Sequence, residues 1–258
     1  MTQFQTGADA LNALNASNDD GGKSAEFSKF SSGTTYTVKV PGLHLFSAYV
    51  YGSFSKGIHS FVAENPSKKT DRGYPTENLT PFDKAWKFFK DKSDDWQDDN
   101  AQEAYQFIAK QRFSLGFINL DDGAPIVVEF TKNQAKAVVD SIKKYESRLD
   151  QFAFELSKQG KSRDTTVSLS IIPILEDLTE TQQKNFAEST GEFDDAIFDG
   201  IHYAMSDNEQ IETLIRVGFD VKLIGLEAPK QGAEGQTEGA PEGNPVDNTQ
   251  VAEPDLPF

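Results

Sequence analysis

Between Thr35 and Ala63 the chain alternates apolar and polar residues with a period of two. That pattern makes half-buried strands and rules out an all-helical fold. Tyr36, Val38 and Val40 alternate with Thr35, Thr37 and Lys39. Pro41-Gly42 then reads as a turn. A longer strand runs from Leu43 to Phe54, with His44, Phe46, Ala48, Val50, Gly52 and Phe54 on one face. Leu45, Ser47, Tyr49, Tyr51 and Ser53 occupy the other. After Ser55-Lys56-Gly57, a third strand spans Ile58 to Ala63. Three strands on short links predict an antiparallel meander.

The rest of the chain mixes helices with further strands. Thr80, Pro81 and Asp83 make a capping signal, and Phe82, Ala85, Trp86 and Phe89 form the stripe of the helix it opens. A second helix is expected near Asn100–Lys110. Strands return at Arg112–Leu120 and Ile126–Phe130, joined by Asp121-Asp122-Gly123. Thr131 to Gln134 is another capping box. The apolar spacing from Ala135 through Val138, Ile142, Tyr145, Leu149 and Phe152 to Leu156 predicts one long helix, stopped by Gly160. Thr165–Leu175 reads as a strand, and Thr179–Gln182 and Ser206–Glu209 open two more helices. The fold class is therefore α+β, with helical insertions and an acidic, helical C-terminal part.

Three regions are expected: a flexible leader over residues 1–30, a folded domain over 31–225, and a disordered acidic tail over 226–258. After Gly225 the composition falls to Gly, Ala, Pro, Glu, Asn and Gln, which offers little apolar area to offset chain entropy. Gly21-Gly22-Lys23-Ser24 in the leader lacks the earlier Gly and the preceding strand of a phosphate-binding loop. Met1-Thr2-Gln3-Phe4 has no basic, apolar run of a signal peptide. No stretch approaches the ~20 apolar residues of a membrane helix. There are no cysteines, and His44, His59 and His202 fit no metal-ligand spacing, so no metal or cofactor is expected.

The net charge of −16 is unevenly spread. Residues 176–258 hold 19 acidic and 4 basic side chains, a net of −15, and residues 1–175 carry the remaining −1. Tyr36 to Lys92 contains nine Lys and Arg against five acids. A locally basic segment followed by a strongly acidic C-terminal part points to nucleic acid as a partner. Binding a single strand needs cations along the phosphates and flat side chains under the bases. The candidates are Lys39, Tyr49, Tyr51, Lys56, His59, Phe61, Lys68, Lys69, Arg72, Lys87 and Arg112. The competing reading is a two-faced sheet whose tyrosines lie under the helical insertion. Glu192, Asp194, Asp195 and Asp199 cluster as in two-metal nucleases. They have no basic or His partner nearby in sequence and read as an acidic surface helix, so no catalytic residue is expected.

The last four residues, Asp255, Leu256, Pro257 and Phe258, are the most specific signal. A terminal Phe ring and its carboxylate suit an apolar pocket rimmed by Arg or Lys. This ending resembles the acidic tail tip of bacterial single-stranded-DNA-binding proteins. The body resembles the larger, phage-encoded members of that functional class over Phe27 to Glu180. The resemblance is carried by FSKFSSGTTYTVKVPGL at 27–43, YGSFSKGIHSFVAENPSKKTDRGYPTENLTPFDKAWKFF at 51–89, and Leu115–Leu120. It implies an OB-fold barrel, coating of single-stranded DNA during replication, recombination and repair, and docking of polymerase, helicase or nuclease by the tail. It also implies a place in the host cell cytoplasm. Two features depart from the T-even version: there is no Cys-containing zinc site, and Lys23 is the one basic residue in 1–26. An adaptor that binds replication proteins through the tail and never touches DNA is the alternative.

Overall fold

The computed structural model describes residues 27–161, 164–189 and 192–229. Its strands are β1 (Thr35–Lys39), β2 (Leu45–Ser53), β3 (Ile58–Ala63), β4 (Lys68–Lys69), β5 (Pro75–Glu77), β6 (Lys110–Asn119), β7 (Pro125–Phe130), β8 (Ala153–Gln159), β9 (Thr166–Ile172) and β10 (Ala204–Met205). Five α-helices accompany them: α1 (Pro81–Lys90), α2 (Asp99–Phe107), α3 (Lys132–Lys144), α4 (Glu180–Glu188) and α5 (Asp207–Arg216). The leader Gly-Gly-Lys-Ser and the terminal Asp255–Phe258 lie outside the described residues. The expected leader boundary at residue 30 is too late, because Ser28 N already donates to Val127 O at 2.8 Å. Phe30 packs edge-on to Phe130.

β6 is the spine of a mostly antiparallel, open sheet. β7 pairs along one edge of β6, from Phe113↔Phe130 to Ile118↔Pro125. On the opposite edge β2 covers the first half, from Val50↔Lys110 to Leu45↔Leu115, and β1 covers the end, at Lys39↔Ile118 and Val38↔Asn119. β1 and β2 are thus two parts of one interrupted strand. The expected meander is corrected accordingly. Pro41-Gly42 does not reverse the chain. It offsets it, and His44 O, accepting from Gly116 N at 3.1 Å, rejoins the ladder. Beyond β2 lie β3, antiparallel, and β10, parallel to β3. Beyond β1 lie β8 and β9, both antiparallel. The path of strands ends at β10 on one side and β9 on the other.

The long helix expected up to Gly160 is also corrected. α3 ends at Lys144, a tight turn takes in Glu146–Arg148, and Ala153–Gln159 is a strand. Phe152 and Leu156 fit the spacing of three and four, but with Phe154 between them they also fit period two. Pairing decides between them, because β8 finds β1 on one edge and β9 on the other, which satisfies its backbone on both sides. Gly160, at φ 88°, serves the β8–β9 hairpin instead of a helix end.

Helix starts follow their caps. Asp83 N donates to Thr80 Oγ1 at 3.1 Å, Thr131 N to Gln134 Oε1 at 3.1 Å, and Gln182 N to Thr179 Oγ1 at 3.3 Å. α3 covers a core of Val38, Leu115, Phe117, Phe154, Leu156 and Leu169. α1, α2 and α5 surround a second core of Tyr51, Phe61, Phe82, Phe107 and Leu214. Leu226 still packs on that core, just inside the region expected to be tail.

Candidate functional site: a cleft beside the open edge of β2

β3 reaches β2 only at Tyr51↔Phe61 and Ser53↔Ile58, with a register shift between them. Leu45 to Val50 therefore pair with β6 alone, and their other edge has no strand partner among the described residues. A cleft of about 490 Å³ opens there. Its walls are Phe46 to Tyr49 and Tyr51 of β2, Val62 and Ala63 of β3, Pro66, Ser67 and Lys69, and a strap that contributes Phe198, Gly200 to His202 and Ala204.

The strap is a well-fixed wall. Asp195 pairs with His44 Nδ1 at 2.7 Å, and Phe193 packs against the His44 ring. Phe198 stacks on Phe46 with centroids 5.9 Å apart and planes 15° from parallel. Phe46 remains 37% exposed, so part of its ring faces water. His202 approaches Phe27 and Phe46, and its Nε2 is 3.9 Å from Glu129 Oε2. Burial, with help from the Arg112 guanidinium, pushes the His202 pKa down to about 4. The imidazole is neutral at pH 7, and with its side chain 7% exposed it acts as packing beneath Phe46. Burial raises the Glu129 carboxyl, against the pull of Arg112 and Lys158.

Tyr49 lies half-buried in the cleft. Lys69 Nζ sits 5.2 Å from its ring centroid. Gly73, in the turn that carries Arg72, comes so close that a Cβ there would lie 3.0 Å from the Tyr49 ring. Lys68, Arg72 and His59 are exposed. Lys68 shares its charge with Glu77 at 2.7 Å.

The structure takes several expected contacts out of reach. Tyr51 is 2% exposed, stacks on Phe61, and donates to Asp83 at 2.8 Å. Burial and the Asp83 charge raise its pKa. Phe61 has no exposure at all. Lys69 lines the cleft, but its Nζ is 3.6 Å from the buried Asp83 carboxylate. Burial lowers the Lys69 pKa, and Asp83 opposes that shift. Lys39 donates to Phe186 O and Ser189 O at 2.9 and 2.7 Å, so it caps carbonyls at the end of α4. Lys56 pairs with Glu103 at 2.5 Å and Arg112 Nε lies 4.0 Å from Glu129, whereas Lys87, 2.8 Å from Asp91, stays exposed.

Sequence reasoning missed Phe46, Phe198 and His202. The expected acidic surface helix is a single tight turn, Asp195–Phe198, whose carboxylates cap and pair while its rings lie on the sheet. The recurrence of Phe193, Phe198 and Ile201 within that acidic run was the available signal. Among the described residues, no three His, Asp or Glu side chains converge to hold a metal ion. Nor is any helix there long and apolar enough to cross a membrane.

No protein-family model matches the chain, and no curated protein or solved structure matches it either. The site's chemistry must be read from its own geometry. An open cleft with a part-exposed Phe and a half-buried Tyr offers surfaces on which flat rings can stack. The backbone edge of Leu45–Val50, which has no strand partner among the described residues, lies beside them.

Proposed function

We propose that the chain binds and protects single-stranded DNA without sequence preference during phage DNA replication, recombination and repair in the host cytoplasm. Replication proteins are recruited through Asp255–Phe258. The observation that carries this reading is the cleft, where Phe46 and Tyr49 supply ring surfaces and where Lys68 and Arg72 are exposed on the segment that also brings Lys69 and Gly73 to Tyr49. Stacking is indifferent to base identity, because every base has a π-face. The OB fold is a partly open Greek-key barrel. The interrupted strand 35–53, shared between the β8 side and the β3 side of one sheet, favours a derivative of it.

Titrating labelled oligo-dT and following fluorescence anisotropy at two salt concentrations tests the proposal. Affinity that falls with salt supports it, since phosphate contacts release counterions. Tyr49→Ala and Phe46→Ala should each weaken binding, by ~1–3 kcal/mol per lost stack. Absence of binding in dilute buffer overturns it.

One observation favours the adaptor reading. Lys39, Lys56 and Lys69, all expected on the DNA path, are already held by protein groups. An adaptor gives no anisotropy change with oligo-dT and still binds replication proteins through its last four residues.

A further inference from the structure

Among the described residues, β9 presents the longest bare edge of the sheet. Its inner edge pairs with β8 at seven consecutive positions, from Ala153↔Ile172 to Gln159↔Thr166, without a register shift. Among the described residues no strand pairs with the outer edge. Such an edge is a template for another strand, and proteins usually blunt it with a lysine, a proline, a bulge or short length. β10, at the far end of the path, has two residues. β9 has seven, with no bulge, and Thr165 to Leu175 contains no charged side chain.

We propose that this edge pairs antiparallel with β9 of a second copy, around a two-fold axis at Leu169. The residue pattern is complementary to itself in that register. Ser168 falls opposite Ser170 of the second copy, Val167 opposite Ile171, and Leu169 opposite its own equivalent. Hydroxyls then meet hydroxyls on the exposed face, and apolar side chains meet under α3. A slip of one residue would set the apolar face of one copy against the polar face of the other, so the period of two specifies the register. A strand rich in charge would find nothing to neutralise it along β9. This inference does not rest on DNA binding.

Sedimentation velocity of the full chain across the micromolar range is the first measurement. A concentration-dependent dimer is expected. Ser168→Lys combined with Ser170→Lys sets lysines against each other across the axis and should abolish it. Hydrogen exchange of the unaltered protein needs no variant to fold, and β9 amides should gain protection as concentration rises. A monomer at high concentration overturns the proposal. So does a dimer that survives both lysines in a folded variant. Protection of β9 that is the same at every dilution also overturns it, and would assign the edge to a segment of the same chain.

Discussion

Tyr51 donates its phenolic hydrogen to Asp83 across 2.8 Å, and neither side chain is open to water. Thr80 Oγ1 stands 3.1 Å from the same phenol, and Asp83 closes the cap of α1 with Thr80. The network ties the first inserted helix to the middle of β2. Tyr51→Phe removes one donor from a carboxylate with no solvent, which costs about 1–3 kcal/mol. Urea denaturation should show that loss, with oligo-dT affinity unchanged. A weaker affinity at unaltered stability would put Tyr51 back in the interface.

Lys69 is the cation of the same network. Removing one partner of a buried pair strands the other charge, at a cost of about 3–5 kcal/mol. Lys69→Met should therefore destabilise the fold far more than Lys68→Met, whose pair with Glu77 is exposed. Adding Asp83→Asn to Lys69→Met should recover part of the loss, and a double-mutant cycle reads the coupling. Equal effects of the two lysine substitutions would contradict the burial of the pair.

These two cases show what the sequence could reveal. Period two correctly put Tyr49 and Tyr51 on one face. Which of them is roofed depends on α1 and Asp83, whose packing no local pattern encodes. Helix starts were legible because a cap is a local event, as at Thr80–Asp83 and Ser206–Glu209. The joining of β1 and β2 was not, because the strand that makes them continuous is β6, far along the chain. At Phe152–Leu156 two periodicities coincide, and only the pairing of β8 with β1 and β9 separates them. The strap was hidden by its charge: acids between the rings of Phe193 and Phe198 made a packed segment read as solvated.

His202 makes stability depend on pH. Its folded pKa, about 4, lies below the ordinary 6.5, so the unfolded chain binds the extra proton first. The contribution from the buried neutral ring is fully present above pH 6.5 and is lost as pH falls toward 4. Glu129 acts in the opposite sense over the acid range, because its carboxyl is raised and takes up a proton in the folded state. His202→Phe keeps a ring against Phe27 and Phe46 and removes the titration. Melting temperatures of the variant should fall less than those of the parent between pH 7 and pH 5. Parallel curves would show that the ring titrates normally.

Gly116 sets the seat of the strap. It lies buried in β6, and a Cβ built there runs into the ring of Phe193. The backbone of a strand accepts alanine, so the obstacle is the aromatic side chain alone. Gly116→Ala should push Phe193 out and loosen the hold of His44 on Asp195, with overpacking costing about 1–3 kcal/mol. Limited proteolysis should then cut between Phe193 and Ile201 faster than in the parent. Phe193→Ala on the Gly116→Ala background removes the clash, so it should restore part of the stability while leaving the strap easier to cut. If Gly116→Ala changes neither the melting curve nor the cleavage pattern, Phe193 does not rest on β6, and the cleft lacks the wall described for it.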